Sequence, residues 1–399
     1  MQSTPETIWI HRSYQSQFDL LGAMASEIAQ AFVARGYDAR LVDIAEEESP
    51  TEGVFVFLNT PQAIEQLPPA LFVPGSNLSA VQVHVDHPFA LPDSLLDQWT
   101  RRVGLEGFRL MLPCLDDVHL LRTRFPGLVH SWMPHGIPRE SLCDADALTC
   151  EAFDERAFDV VVTGSVRSQE AIDQGLGQLD VPVQTMAKEI AHLMIKEVHL
   201  GYVAAVDLVM GSRGVITGSW EAQKYLWGLV IAMVNRHRRI ETVKAMQGLK
   251  VGVFGSEAWQ AHCMGTVKYA GEVCYAQCAG AFARGRVGLA WGPTQFVHSY
   301  SERIMQAMAG GACVVADDRL LVRRDFNGAA SPGGDSARLF DWANPQAARA
   351  AVDAQLGDVE GSVAMAQRGR ALVEKRCLWE HRVDGMVEWL GLAGRLEAG

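Results

Sequence analysis

VHSYSERIMQAMAGGACVVADD, residues 297–318, is the stretch whose reading decides the fold. It opens on a polar cluster of His298, Ser299, Ser301, Glu302 and Arg303. A short helical run follows, with Ile304, Met305 and Met308 at spacings that share one face. Gly310-Gly311 ends that run, as glycine does at a helix C-terminus. The β-type segment Ala312 to Ala316 comes next and closes on Asp317-Asp318. Polar loop, helix, Gly-Gly, buried strand and acidic end make one helix–strand unit of an α/β domain. A polar loop feeding a helix N-terminus also suits an anion, because free backbone N–H groups and the helix dipole point there. The residues alone leave a solvated loop and an anion site both open.

The surrounding chain repeats the same alternation. Upstream, Phe158 to Thr163 (FDVVVT) predicts a strand followed by Gly164-Ser165-Val166-Arg167. A strand ending in Gly-Ser with an arginine two residues on suits a diphosphate, and it also suits an ordinary strand-to-helix turn. Ser168 to Met246 reads almost entirely as helix, with long stretches at Met186 to Met210 and Ser219 to Gln247. Strands are expected at Leu249 to Phe254, Val267 to Gly271 and Arg286 to Ala290, with Cys274 to Ala283 helical. Downstream, Leu339 to Asp341 is a brief strand, Pro345 to Leu356 and Val359 to Lys375 are helices, and Trp379, His381 and Arg382 open the last helix.

The N-terminal half has the same grammar. Thr7 to Ile10 is a strand, Phe18 to Ala34 a helix through Leu20, Met24, Ile28 and Phe32, and Ala39 to Ile44 a strand. This β-loop-α-β start is the opening of a parallel sheet. Its first loop, His11 to Ser16, lacks a glycine fingerprint, which argues against a dinucleotide site. Strands follow at Gly53 to Leu58, Ala80 to Val85, Phe108 to Leu112 and Val129 to Met133, with helices at Pro61 to Leu67, Pro92 to Val103 and Asp116 to Arg124. Asp86-His87 and His135-Gly136 fall just after strands, where open parallel sheets place ligands. Asp86 and His87 read either as a strand-end turn or as a general base. Arg139 to Ala157 is polar and acidic and reads as a linker. The expected organisation is an N-terminal domain over 1–140, a linker over 141–157, and a C-terminal domain over 158–375 with a helical insertion at about 168–247. A closing helix is expected over 376–399.

The 399 residues carry a net charge of -12, which disfavours general nucleic-acid binding. Two basic clusters, Arg236-His237-Arg238-Arg239 and Arg323-Arg324, read as solvated helix ends or as contacts for a diphosphate or an anionic surface. The N-terminus lacks the basic and apolar regions of a signal peptide. The most apolar helix candidate, Tyr225 to Val234, is too short to span a bilayer. Eight scattered cysteines form no CxxC pair, so no zinc site is expected. Cys274 and Cys278 are spaced to share a helix face as packing thiols. A reducing, cytoplasmic location is the expectation.

Residues 297–318 resemble the donor-binding segment of GT-B glycosyltransferases, especially the CgeB-like group with a glycosyl transferases group 1 C-terminal domain. The pattern S-x-R-x-x-E-A-x-A-x-G-x-x-V-V is matched by Ser301, Arg303, Ala307, Ala309, Gly311, Val314 and Val315. His298 and Gln306 stand where many retaining members carry two glutamates separated by seven residues. The resemblance extends more weakly from about Phe158 to the C-terminus, including the tail from Arg368 to Leu390. It implies an α/β fold of the GT-B type: two Rossmann-like domains facing across a cleft, a helical insertion in the second, and a final helix crossing back to the first. It implies a nucleoside-diphosphate sugar as substrate, with no cofactor. The donor would be held by Gly164, Ser165, Arg167, Tyr269, His298, Ser299, Ser301, Arg303 and Gln306. Asp86 and His87 would be catalytic at the acceptor hydroxyl, with His11, Ser13 and His135 on the acceptor side. No metal ligand is expected, because Asp116-Asp117 opens a helix and Asp317-Asp318 follows a strand. The acceptor is open among a protein, a polysaccharide and a small molecule, as is the stereochemistry. The helical insertion is a candidate surface for self-association. An epimerase or hydrolase on the same fold, and a degenerate non-catalytic scaffold, are the alternatives.

Overall fold

The computed structural model describes residues 7–12, 14, 19–44, 49–58, 67–73, 75–90, 108–214, 220–328 and 335–392. Ser13, the start of the first helix at Phe18, and the helices expected from Pro61 and over Pro92 to Val103 lie outside the described residues. The chain divides into two compact units. One is Met1–Arg139, Cys274–Ala276 and Arg376–Gly399; the other is Glu140–Val273 and Gln277–Lys375.

The first unit runs β1 (Ile8–His11), α1 (Leu20–Ala34), β2 (Ala39–Val42), β3 (Gly53–Leu58), β4 (Leu78–Val83), β5 (Phe108–Leu112), α2 (Leu115–Arg124) and β6 (Val129–Trp132). The six strands form a sheet of order β2-β1-β3-β4-β5-β6, every described pairing parallel. β3, GVFVFL, is buried along its whole length, as an inner strand covered on both faces must be. Helix α1 buries Met24, Ile28 and Phe32 against this core.

The second unit starts with α3 (Cys150–Asp154), a short helix inside the expected linker, capped where Thr149 Oγ1 accepts from Ala152 N at 3.2 Å. It continues with β7 (Phe158–Thr163), α4 (Gln169–Gly177), α5 (Val181–Lys196), α6 (Tyr202–Ser212), α7 (Trp220–Ala245), β8 (Val251–Phe254), β9 (Val267–Gly271), α8 (Cys278–Phe282) and β10 (Gly285–Ala290). It ends with α9 (Glu302–Ala309), β11 (Cys313–Asp317), α10 (Leu320–Phe326), β12 (Ala337–Phe340), α11 (Pro345–Gly357) and α12 (Val359–Arg376). The sheet order is β12-β11-β10-β7-β8-β9, again parallel. β7 sits inside the sheet, and its Val160 pairs with both Val251 and Val287. The stretch expected as one helix over Met186 to Met210 is two, α5 and α6, with Gly201 as the N-cap of the second. Cys278 begins α8, whereas Cys274 precedes a separate 3-10 turn at Tyr275–Gln277, so the two thiols do not share a helix face.

The glycines after α9 have distinct reasons to be there. A Cβ on Gly310 would lie 2.2 Å from Ala279 O, so the backbone approach itself excludes a side chain. Gly311 has φ +73°, the left-handed conformation that turns the chain from helix into β11.

The last helix, α13 (Trp379–Leu390), belongs to the first unit. Ile137 N donates to Cys377 O and Trp379 N to Ile137 O, both at 3.1 Å. A Cβ on Gly136 would lie 2.7 Å from the Trp379 backbone. Trp379, 1% exposed, donates from Nε1 to Glu27 Oε2 at 2.7 Å, which satisfies its one polar atom inside the core. Arg35 grips Asp384 with two hydrogen bonds of 2.6 and 2.7 Å.

Candidate functional site

In the second unit the carboxyl ends of β7, β8 and β9 are tied into one floor. Gly164 N donates to Phe254 O at 2.9 Å, and Trp259 Nε1 donates to Gly164 O at 2.6 Å. Ser256 Oγ accepts from Val166 N at 3.0 Å and donates to Val166 O at 2.8 Å. Tyr269 OH donates to Gly255 O at 3.1 Å. Gly164 itself has φ +131°. A Cβ there would lie 3.6 Å from Arg303 Nε, 3.7 Å from Arg303 Cζ and 3.8 Å from Arg239 Nη1. Two guanidinium groups therefore converge on a backbone bared of side chain.

Neither cation is neutralised. Arg239 Nη1 donates to Ser165 O, and among the described residues no carboxylate forms an ion pair with Arg239 or Arg303. Burial, then the positive charges of Arg303 and Arg319, pull the Arg239 pKa down to about 9, with Asp317 opposing. In these segments Arg239 Nε, Arg303 Nη1, Ser301 Oγ and Thr163 Oγ1 are buried without a hydrogen-bond partner. Ser301 precedes α9 with extended backbone, yet its hydroxyl makes no capping bond. Each unsatisfied buried group is worth about 1–3 kcal/mol against the empty state. Two guanidiniums without a carboxylate partner, two hydroxyls without a hydrogen bond and a helix N-terminus have the chemistry to receive an oxygen-rich anion.

The loop before α9 is held by a brace. Arg319, 4% exposed, pairs with the fully buried Asp317. It donates to Gly292 O and Pro293 O at 2.8 Å and to Phe296 O. Asp317 Oδ1 accepts from Gly292 N at 3.0 Å, and Asn235 Oδ1 accepts from Thr294 N at 3.0 Å and Thr294 Oγ1 at 2.9 Å. Trp342 lies between Arg238 at 4.6 Å and Arg319 at 4.3 Å. The four residues from 236 to 239 thus fan out around α7. Arg236 donates to Arg167 O, Arg238 to Met194 O, Arg239 to Ser165 O, and His237 is exposed.

In the first unit the candidates cluster after β4 and β6. His87 Nδ1 accepts from Phe89 N at 3.1 Å, which leaves the ring proton on Nε2, 3.2 Å from Asp117 Oδ1. Burial pushes His84 and His87 down to about 3 and raises Asp117 well above the ordinary carboxyl range. His87 is buried in the loop after β4, with Nδ1 engaged by the Phe89 N–H and Nε2 near Asp117. Asp86 Oδ1 accepts from His87 N at 3.0 Å, and its residue is half-buried. His135 Nε2 lies 3.1 Å from His84 O, and His135 O accepts from Arg382 Nε at 3.1 Å. His11 is fully buried at the end of β1, its ring 5.0 Å from that of Tyr14.

Of the residues expected from sequence, Gly164, Ser165 and Arg303 meet at one place, and Ser301 sits at the N-terminus of the helix that carries Arg303. Arg167 does not join them. It is exposed and offers its carbonyl to Arg236, while the guanidinium beside Ser165 belongs to Arg239. His298 is half-buried, and Ser299 and Gln306 are buried within the same segment. Tyr269 spends its hydroxyl on Gly255. Arg239 and Thr163 were missed as individual site residues, although the basic run at 236–239 carried a signal for the first. Among the described residues no group of three or more His, Cys, Asp or Glu is placed to hold a metal ion, and no helix is long and apolar enough to cross a membrane.

Residues 236–388, which include Arg239, Ser301 and Arg303, match the family described as glycosyl transferase-like. No curated protein matches the chain in sequence. Sucrose-phosphate synthase from Thermosynechococcus elongatus superposes with a TM-score of 0.52 at 10% identity, over 97% of this chain and 99% of that one. T4 phage BGT, solved in complex with its UDP-glucose substrate, gives 0.49 at 10% identity over 92% and 94%. Anabaena HepE, solved with UDP and glucose, gives 0.48 at 12% identity over 97% and 99%. The fold is that of the GT-B glycosyltransferases.

Proposed function

We propose that this GT-B chain is a glycosyltransferase that takes its sugar from a nucleoside-diphosphate sugar, with Arg303 and Arg239 as the cations that hold the donor's diphosphate. The observation that carries this reading is the convergence of two unpaired guanidiniums on Gly164, in front of a helix N-terminus whose serine hydroxyl is unused. When the bond from the anomeric carbon to the diphosphate breaks, negative charge grows on the leaving oxygen. Donors fixed in advance at that position lower the barrier more than mobile ones, because they need not reorganise. The two arginines supply positive charge of the kind a divalent cation would otherwise bring, so turnover is expected to be independent of magnesium. Gln306 in place of a carboxylate can hydrogen-bond a donor hydroxyl without charge. Asp86 is proposed as the general base for the acceptor hydroxyl. The acceptor is a hydroxyl compound, and whether the product retains or inverts the anomeric configuration is left to product analysis.

The test is release of nucleoside diphosphate from a panel of UDP-, GDP-, dTDP- and ADP-sugars. Arg303→Ala should lower turnover more than about tenfold with the working donor, which corresponds to at least 1.4 kcal/mol of barrier, and EDTA should leave it unchanged. Full activity in Arg303→Ala would remove the arginine from the diphosphate site.

A further inference from the structure

Helix α7 does more than carry Arg239. Within about one turn its side chains reach two of the loops near Gly164. Arg239 Nη1 donates to Ser165 O and Arg236 Nη1 to Arg167 O, both in the loop after β7. Asn235 stands four residues before Arg239, so the two side chains share a face of the helix. Asn235 reaches the other loop, residues 291–301, which joins β10 to α9 and ends on Ser301. Its Oδ1 accepts from both the backbone N–H and the hydroxyl of Thr294, a residue only 2% exposed. Asp317 and Arg319 also hold this loop, but from β11 and the residues just after it, so they tie the loop to its own sheet. Asn235 ties it to the helix that bears Arg239. A diphosphate that meets both Arg239 and Arg303 is sensitive to the spacing between α7 and α9, because a hydrogen bond weakens once donor and acceptor part beyond about 3.2 Å.

We propose that Asn235 is a positioning residue of the donor site: by gripping Thr294 it sets the loop before α9, and with it Ser301 and Arg303, in register with Arg239. The inference rests on the donor reading above and adds to it the contact that holds the two arginines at a working distance.

The experiment is calorimetric titration of the whole protein with UDP, GDP, dTDP and ADP, and then of four variants with whichever of these binds the parent most tightly. Asn235→Leu keeps the size of the side chain and loses the acceptor. It should weaken binding at least about tenfold and raise the donor KM more than it lowers kcat. Thr294→Val loses the hydroxyl bond and keeps the backbone one, and should weaken binding about threefold or more. Thr294→Ser keeps both donors and should stay within about twofold of the parent. Asn235→Leu/Thr294→Val should bind no worse than Asn235→Leu alone, because both changes break one contact. Hydrogen exchange across residues 291–301 should quicken in Asn235→Leu and Thr294→Val and not in Thr294→Ser. Should Asn235→Leu fail to fold, the contrast between Thr294→Val and Thr294→Ser decides alone. Parental affinity in Asn235→Leu, a loss in Thr294→Ser equal to that in Thr294→Val, or additive losses in the double variant would overturn the proposal. Weaker binding with unchanged exchange across 291–301 would place the effect elsewhere and overturn it as well. Failure of the parent to bind any of the four nucleotides would strike the donor reading first, and the positioning role with it.

Discussion

Arg239→Met separates a site built for an anion from an arginine that merely packs. The side chain is 6% exposed, and its pKa falls from the ordinary guanidinium range to about 9. At 1.36 kcal/mol per unit, that difference is on the order of 5 kcal/mol against the charged form, an upper bound because the protein relaxes around it. The sign is that of a base with a depressed folded-state pKa. Below about pH 9 both states are charged and the penalty is fully present; it is relieved only as pH rises above that. At pH 7.5, replacing Arg239 with an apolar chain of similar length removes the penalty and loses the hydrogen bond to Ser165 O, worth about 1 kcal/mol. The unliganded variant should therefore melt no lower than the parent and up to several degrees higher, at about 2–4 °C per kcal/mol. A bound diphosphate should meanwhile lose a charge-assisted hydrogen bond of about 1.5–3 kcal/mol, roughly 10- to 150-fold in affinity. Thermal melting with and without nucleotide reads both effects in one assay. A variant that melts several degrees lower and keeps the parent's nucleotide shift would refute the reasoning and make Arg239 structural.

Other consequences follow from the same contacts. Arg319→Lys keeps the charge beside Asp317 but loses the fork that caps Gly292, Pro293 and Phe296. It should cost about 3 kcal/mol in urea unfolding and raise the donor KM more than it lowers kcat. Acid stability carries its own signature. Unfolded His84 and His87 take up protons below about pH 6.5 that the buried rings refuse until about pH 3. Asp117, whose pKa burial raises, works in the opposite direction. The urea midpoint should still fall as pH drops from about 6.5 to about 4, and a flat midpoint across that range would contradict two buried neutral imidazoles.

Much of the architecture was legible in the sequence. FDVVVT, GVFVFL and ACVVA are apolar runs with no alternation, which only a parallel sheet covered on both faces can absorb. The segment 297–318 announced its helix and turn through Gly310-Gly311, and the structure supplies the reasons: a Cβ on Gly310 would lie 2.2 Å from Ala279 O, and Gly311 has a positive φ. What escaped were features decided by register. The run from Arg236 to Arg239 was visible as charge, but 100° per residue sends its members to separate loops, and sequence does not say which one reaches Gly164. That the Phe89 N–H points at His87 Nδ1 is likewise geometry that the sequence does not show. The cysteine pair looked helical because a spacing of four fits α geometry, whereas the chain enters α8 through a 3-10 turn. The brace at Asp317 and Arg319 appeared only as an acidic strand end, since the three carbonyls it gathers lie more than twenty residues away.

Thermal melting against UDP, GDP, dTDP, CMP and ADP, with and without magnesium, tests the central claim most directly. One nucleoside diphosphate should raise the melting temperature without magnesium, and Arg303→Ala should lose that rise. No shift with any nucleotide would contradict a diphosphate receptor at Gly164, Arg239 and Arg303.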